Sequence, residues 1–176
     1  MNVALLTNIP APYREKIHEI VSKKINGKYK VFYCAEREAD REWKFKYGNY
    51  EKYIFKLTNR NGIHNNIGIL KKLLDFNPEV VVIMGFYPTM LYAFLYSILW
   101  NKKLIVFTDG TYKSEKNLSI YHKIIRKIVF IKTSSFIGPS LDSLKLYKSY
   151  GIEEKKFFRT YLSVENKNFY TTPLYK

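Results

Sequence analysis

The chain has 176 residues, one domain of ordinary size, and can bury about 70% of its unfolded surface without disulfide or metal staples. An apolar share of 47% excludes a disordered chain, and the single cysteine, Cys34, excludes an internal disulfide or an all-cysteine zinc site and suits a reducing compartment. Thirty Lys+Arg against 15 Asp+Glu leave a net charge of +15, which predicts an anionic partner: nucleic acid, a lipid surface or a phosphorylated ligand.

In chain order, Asn2–Thr7 reads as a strand and Tyr13–Ile25 as a helix with Ile17, Ile20, Val21 and Ile25 on its apolar face. The opening apolar run, Val3-Ala4-Leu5-Leu6, is stopped by Thr7, Asn8 and Pro10. It is too short for a secretory signal, so the chain is expected to stay in the cytoplasm. Lys30–Cys34 is a second strand. The stretch from Ala35 to Asn61 has no clear period beyond a possible strand at Tyr53–Leu57. Ile67–Phe76 is helical and stops before Pro78. Glu79–Met84 is a strand, Thr89–Trp100 a helix and Lys103–Thr108 a strand. A helix over Lys116–Ile131, a short strand at Ser135–Ile137, a helix over Leu141–Tyr150 ended by Gly151, and a last strand over Lys156–Tyr161 complete the series.

Val80–Trp100 is 21 residues without a charge, the length of a membrane span. Gly85 and Pro88 interrupt it, and its first five residues favour a strand, so a buried strand, a turn and an apolar helix is the better reading. Short apolar strands alternating with helices predict an α/β fold: one Rossmann-like domain, doubly wound around a mostly parallel sheet.

Three strands run into a glycine turn: Gly85-Phe86-Tyr87-Pro88, Asp109-Gly110-Thr111 and Gly138-Pro139-Ser140, spaced by 25 and 28 residues. The first strand ends in Asn8-Ile9-Pro10-Ala11-Pro12-Tyr13-Arg14, where two prolines stiffen a loop and set an Arg at a helix start. Any one such glycine is adequately explained by a tight turn. Four such loops at the carboxyl ends of parallel strands predict a binding cleft.

Absences narrow the chemistry. No GxxxxGKS/T or GxGxxG phosphate cradle occurs, and His18, His64 and His122 are isolated, so no metal site is expected. No GxSxG elbow is present, and Ser140 reads first as a helix N-cap. Asp109, between Thr108 and Gly110, keeps two readings open: a cleft carboxylate that takes a proton or holds a hydroxyl, or a turn residue bonding its own backbone. Lys113 and Lys116 follow, placed to hold a phosphate or to lower the Asp109 pKa, or simply solvated.

Lys116–Ile131 carries an apolar band (Ile120, Tyr121, Ile124, Ile125, Ile128, Val129) that reads as cover for the sheet. Its basic residues Lys116, Lys123, Arg126 and Lys127 suit an anionic membrane, and no acid lies between Lys116 and Lys132.

In order and spacing these residues resemble the amino-terminal half of GT-B glycosyltransferases, in particular the retaining group 1 or family four, surface-polysaccharide branch. The resemblance is carried by Val3-Ala4-Leu5-Leu6-Thr7-Asn8-Ile9-Pro10-Ala11-Pro12-Tyr13-Arg14, Asn77-Pro78-Glu79-Val80-Val81-Val82, Thr108-Asp109-Gly110, Gly138-Pro139-Ser140, Gly151-Ile152 and Val164-Glu165 with Phe169. It implies a Rossmann-like acceptor-side domain over residues 1–165 and the start of an interdomain linker or a tail over 166–176. It further implies a role in cell-surface polysaccharide or lipopolysaccharide biosynthesis, with a lipid-linked or saccharide acceptor, peripheral to the inner face of a membrane. The family's donor-side Glu-x7-Glu pair has no counterpart here. A nucleotide-sugar donor is therefore expected only in a complete enzyme, bound by a donor-binding domain or subunit and by no cofactor site of this chain, which alone is expected to be inactive. Asp109 stands nearest the position where many members carry a donor-contacting His. By the same resemblance Arg14 and its loop (Asn8, Pro10, Pro12, Tyr13) are candidate substrate contacts, and the other loops at the strand ends add Gly85, Tyr87, Gly110, Thr111, Lys113 and Ser140. The alternatives are a non-catalytic subunit of a split transferase and a basic nucleic-acid-binding module. No helix-turn-helix, RNP-like or zinc-finger signature supports the last, so no specific nucleic acid is expected.

Overall fold

A computed structural model describes residues 1–38, 46–56 and 63–161. Seven strands form one sheet: β1 Val3–Thr7, β2 Tyr29–Tyr33, β3 Glu51–Ile54, β4 Val80–Ile83, β5 Lys103–Phe107, β6 Ser135–Gly138 and β7 Phe157–Arg159. Every pairing is parallel, in the spatial order β3-β2-β1-β4-β5-β6-β7. The helices are α1 Pro12–Lys24, α2 Ile69–Phe76, α3 Pro88–Leu99, α4 Tyr112–Glu115, α5 Ile120–Lys132 and α6 Leu141–Ser149, with a 3₁₀ turn at Glu154–Lys156. This is a single Rossmann-like α/β domain. The boundary expected at residues 165–166, the Val164-Glu165 and Phe169 matches, and Leu57 lie outside the described residues.

The central strands β1 and β4 are apolar along nearly their whole length because both faces are covered. On β1, Ala4 and Leu6 enter one core cluster and Val3 and Leu5 the other. The larger cluster adds Val81, Ile83, Val106 and Phe136 from the sheet and draws Leu73, Met90, Tyr96, Phe130 and Tyr147 from α2, α3, α5 and α6. The charge-free run from Val80 resolves into β4, a turn and α3. Among the described residues no helix is long and apolar enough to cross a membrane.

Helix α1 corrects the expected apolar face. Ile17 and Ile20 are exposed, while Glu15 and His18 turn inward beside the half-buried Val21 and Ile25. Glu15 and one nitrogen of His18 are met by hydrogen bonds: Gly48 N–H and the Tyr50 hydroxyl donate to Glu15 at 2.7 and 2.8 Å, and His18 Nδ1 pairs with the Tyr29 hydroxyl at 2.8 Å, while His18 Nε2 is buried without a partner. A hydrogen-bonded buried carboxylate costs far less than a bare one, so these distant partners override the hydrophobic period.

The helix expected over Lys116–Ile131 starts four residues later, as α5 at Ile120, and the short α4 precedes it across a break at residues 116–119. Ser119 is the N-cap of α5, and its hydroxyl meets His122 Nδ1 at 2.8 Å. The expected apolar band is also split. Val129, Phe130 and the half-buried Ile125 face the core, while Ile120, Tyr121, Ile124 and Ile128 face solvent.

Burial, then the charges of Arg14 and Lys52, lower the His18 pKa from 6.5 to about 4. The unfolded chain thus binds this proton more tightly than the folded one. His18 therefore lowers stability as pH falls below about 6.5, levelling off near pH 4, by about 2 kcal/mol at pH 5. Urea unfolding at pH 7 and pH 5 should reveal this loss in the wild type, and His18→Gln, with no proton to gain, should shrink it by that amount.

Candidate functional site

Because all strands run the same way, the loops after β1, β4, β5 and β6 leave from one edge of the sheet. The chain builds β1, β2 and β3 outward in one direction, then returns to lay β4 on the other side of β1. The crevice between β1 and β4 at their carboxyl ends is the topological switch point, where open α/β sheets place ligands.

A cleft of about 300 Å³ opens there, and Asn8, Arg14, Gly85, Asp109, Gly110 and Glu115 are among its lining. Arg14, on the first turn of α1, crosses the crevice. Its Nη2 donates to Asp109 Oδ2 at 3.1 Å, joining residues 95 positions apart, and its Nη1 lies 3.2 Å from Met84 Sδ. The guanidinium also sits 5.9 Å from the centre of the Phe107 ring. The Arg14 side chain is 16% exposed and that of Asp109 is 49% exposed. The arrangement is a pinned cation beside a carboxylate open to solvent.

The two readings of Asp109 separate in the structure. The turn is closed by Thr108, whose hydroxyl accepts from Gly110 N–H at 3.0 Å, and this leaves the Asp109 carboxylate to reach Arg14. Gly110 is required for a different reason. A Cβ there would stand 2.5 Å from Glu115 Oε1 and 3.2 Å from Thr108 Oγ1. Gly85 adopts φ 129°, a left-handed conformation that side chains disfavour. Asn8 brings a buried Oδ1 with no hydrogen-bond partner, an acceptor suited to a ligand hydroxyl.

Of the expected contacts, Asn8, Arg14, Gly85, Asp109 and Gly110 line this cleft. Tyr13 lines an adjoining apolar groove of about 270 Å³, which runs beside α1 and shares Arg14, Met84 and Phe107 with the cleft. The remaining candidates do not line the cleft. Pro12 opens α1, Pro10 is buried in the loop before it, and Tyr87 is the N-cap of α3, edge-on to His64. Thr111 forms a capping box with Ser114, Ser140 caps α6 by accepting from Ser143 N–H, and Lys113 is exposed on α4. The sequence reading missed Thr7, Met84, Phe107, Thr108 and Glu115. Four of these are the last residue of a strand or the next one along, and the alternation of faces was the signal for them.

Glu115 was hidden because its partner lies beyond a helix break. Arg126 Nε and Nη2 donate to Glu115 Oε2 and Oε1 at 2.6 and 3.2 Å, and the guanidinium stacks 4.3 Å from the Phe86 ring centre. Both side chains are about one-tenth exposed. Arg126 is therefore no membrane-facing cation, and the expectation that grouped it with Lys116, Lys123 and Lys127 is corrected.

The described residues offer no prepared nucleophile. Burial pushes the Cys34 thiol up to about 12, and no group of three His, Cys, Asp or Glu is placed to hold a metal ion. The cleft can bind an anion at Arg14 and orient hydroxyls at Asp109 and Asn8.

No family model matches the chain, and no curated protein matches it in sequence. Solved structures do. HepE of Anabaena, in complex with UDP and glucose, superimposes with a TM-score of 0.66 at 12% identity, over 98% of this chain and 47% of that one. The UDP-GlcNAc 2-epimerase of Methanocaldococcus jannaschii gives 0.57 at 18% identity, over 90% and 45%. The Neisseria meningitidis UDP-GlcNAc 2-epimerase bound to UDP-GlcNAc gives 0.57 at 16%, over 91% and 46%. At these identities the likeness establishes the fold alone, a Rossmann-like α/β domain. The chain spans less than half the length of these proteins.

Removing one partner of a buried ion pair leaves the other charge stranded. Arg126→Met should lower the free energy of unfolding by about 3 kcal/mol, whereas Lys127→Met, one residue on and exposed, should change it by less than about 0.5 kcal/mol. Denaturant titration of both variants checks this.

Proposed function

We propose that this chain is the acceptor-side half of a sugar transferase of cell-surface polysaccharide or lipopolysaccharide assembly. Its cleft forms one wall of an active site that a donor-binding domain or subunit completes. The observation that carries the reading is the Arg14–Asp109 pair at the switch point, a fixed cation next to a half-exposed hydrogen-bond acceptor. That combination suits a phosphorylated saccharide. Arg14 offers charge-assisted hydrogen bonds to phosphate oxygens, and Asp109 receives sugar hydroxyl protons. The UDP-sugar enzymes that share the fold support a sugar-related role, and the family resemblance in the loops supports transfer.

In the completed cleft Asp109 would orient, or take a proton from, the attacking hydroxyl. The nucleotide sugar would bind on the opposite wall.

Two measurements test this. Titration with glucose 1-phosphate should shift the amide resonances of Asn8, Gly85 and Gly110, and Arg14→Gln should abolish the shifts while leaving the fold intact by circular dichroism. No response in the wild type would remove the acceptor assignment. UDP-glucose and UDP-GlcNAc should neither bind tightly to the chain alone nor be turned over by it, and sugar transfer without a partner would refute the half-site reading. In the completed enzyme Asp109→Asn should cut turnover at least about tenfold, a positioned acid or base typically contributing about 10²–10⁴-fold.

A further inference from the structure

Helix α5 has two apolar faces, and packing accounts for only one. Val129 and Phe130 point into the core. On the opposite side Ile120, Tyr121, Ile124, Ile128 and Ile131 are each between 48% and 76% exposed. At 3.6 residues per turn these five fall within one stripe along the helix. The same spacing sets Lys123 and Lys127 along one border of the stripe and Lys132 along the other, with exposed Lys116 just ahead of the helix. No acidic residue lies between Lys116 and Lys132.

We propose that this outward face seats α5 flat on an anionic membrane surface. The isoleucines and Tyr121 enter the boundary between headgroups and acyl chains, and the lysines meet lipid phosphates. With 13 residues the helix is about 20 Å long, too short to span a bilayer and suited to lying along it. The charge pattern selects the occupant. Both borders carry only positive charge, as a uniformly negative lipid surface requires, whereas a protein partner would have to supply a matching acidic frame around an apolar ridge. The inference goes beyond the reading of the cleft and does not depend on it, because the measurement involves no sugar.

The structure also ties this face to the cleft. Arg126, on the inner side of α5, grips Glu115, which lines the cleft beside Gly110. A helix seated on lipid would thereby hold the cleft close to the surface where a lipid-borne saccharide is presented.

The test is flotation of the full chain with vesicles of phosphatidylcholine alone or mixed equally with phosphatidylglycerol. Binding to the anionic vesicles should exceed binding to the neutral ones at least tenfold. Ile124→Asp with Ile128→Asp, both on the exposed side, should cut it at least tenfold with an unchanged circular dichroism spectrum. Lys127→Gln with Lys132→Gln should cut it roughly 25-fold, at about fivefold per lysine near an anionic surface. Equal binding to both vesicles, no binding, or a double-aspartate variant that floats like the wild type would overturn the proposal. So would a wild type that is dimeric and does not float while the double-aspartate variant is monomeric, which would assign the stripe to self-association.

Discussion

The parallel seating of β4 against β1 is the constraint from which the rest of the site follows. Val3 stands opposite Val80 and Leu6 opposite Ile83, so the two strands end within one residue of each other. This alignment sets Thr7-Asn8 beside Met84-Gly85, and the change of winding direction leaves no helix wedged between them. Arg14 can bridge the gap because α1 begins five residues after β1 ends, within reach of both strands. A register slip of one residue would turn Leu5 and Val82 to the opposite face and separate the two rims.

Charge is handled in two ways in this molecule. Where acids are buried, each is met: Glu15 by Tyr50 and the Gly48 amide, Glu115 by both arms of Arg126. The surplus of lysine is left on the surface, where water carries the cost of solvation and only an outside anion can compensate the charge. Arg14 stands between these cases. Its side chain is mostly enclosed, but its partner Asp109 is half open to solvent, so the pair can give up part of its mutual contact to a ligand without stranding a buried ion. A nearly enclosed pair such as Glu115–Arg126 has little such freedom and acts as a structural tie.

The sheet was legible in the sequence because a strand covered on both faces must be apolar along its whole length. The runs Val3–Leu6, Val80–Ile83 and Leu104–Phe107 have no other stable use in a charged chain. The glycine turns and the proline loop after β1 pointed to the correct edge, and Asn8, Arg14, Gly85, Asp109 and Gly110 stand there. Side-chain partnership was not legible. The inward turn of α1 depends on Tyr29, Gly48 and Tyr50, which adjoin it only after folding, and the loss of Arg126 to Glu115 depends on a helix break that periodicity does not register. Tyr87, Thr111 and Ser140 stand outside the lining of the cleft, each at the start of a helix. Residues that open a helix are the ones whose polar atoms its free N–H groups claim, or whose position its first turn fixes.

The split of α5 into an inner and an outer apolar face shows how composition alone misleads. A band of six apolar residues on a helix over a parallel sheet is what the sheet requires, so the band reads as cover. Cover needs only the arc that touches β-strands, and in α5 that arc is filled by Ile125, Val129 and Phe130 together with the stacked guanidinium of Arg126. Burying four isoleucine or tyrosine side chains would contribute on the order of 1.5–3 kcal/mol each. Leaving them in water forgoes that gain while offering no advantage to the isolated domain. The sheet cannot reach them, since they lie half a turn away from it. The proposed membrane seat would supply a second apolar medium for them, with the lysines on both borders facing its negative charge.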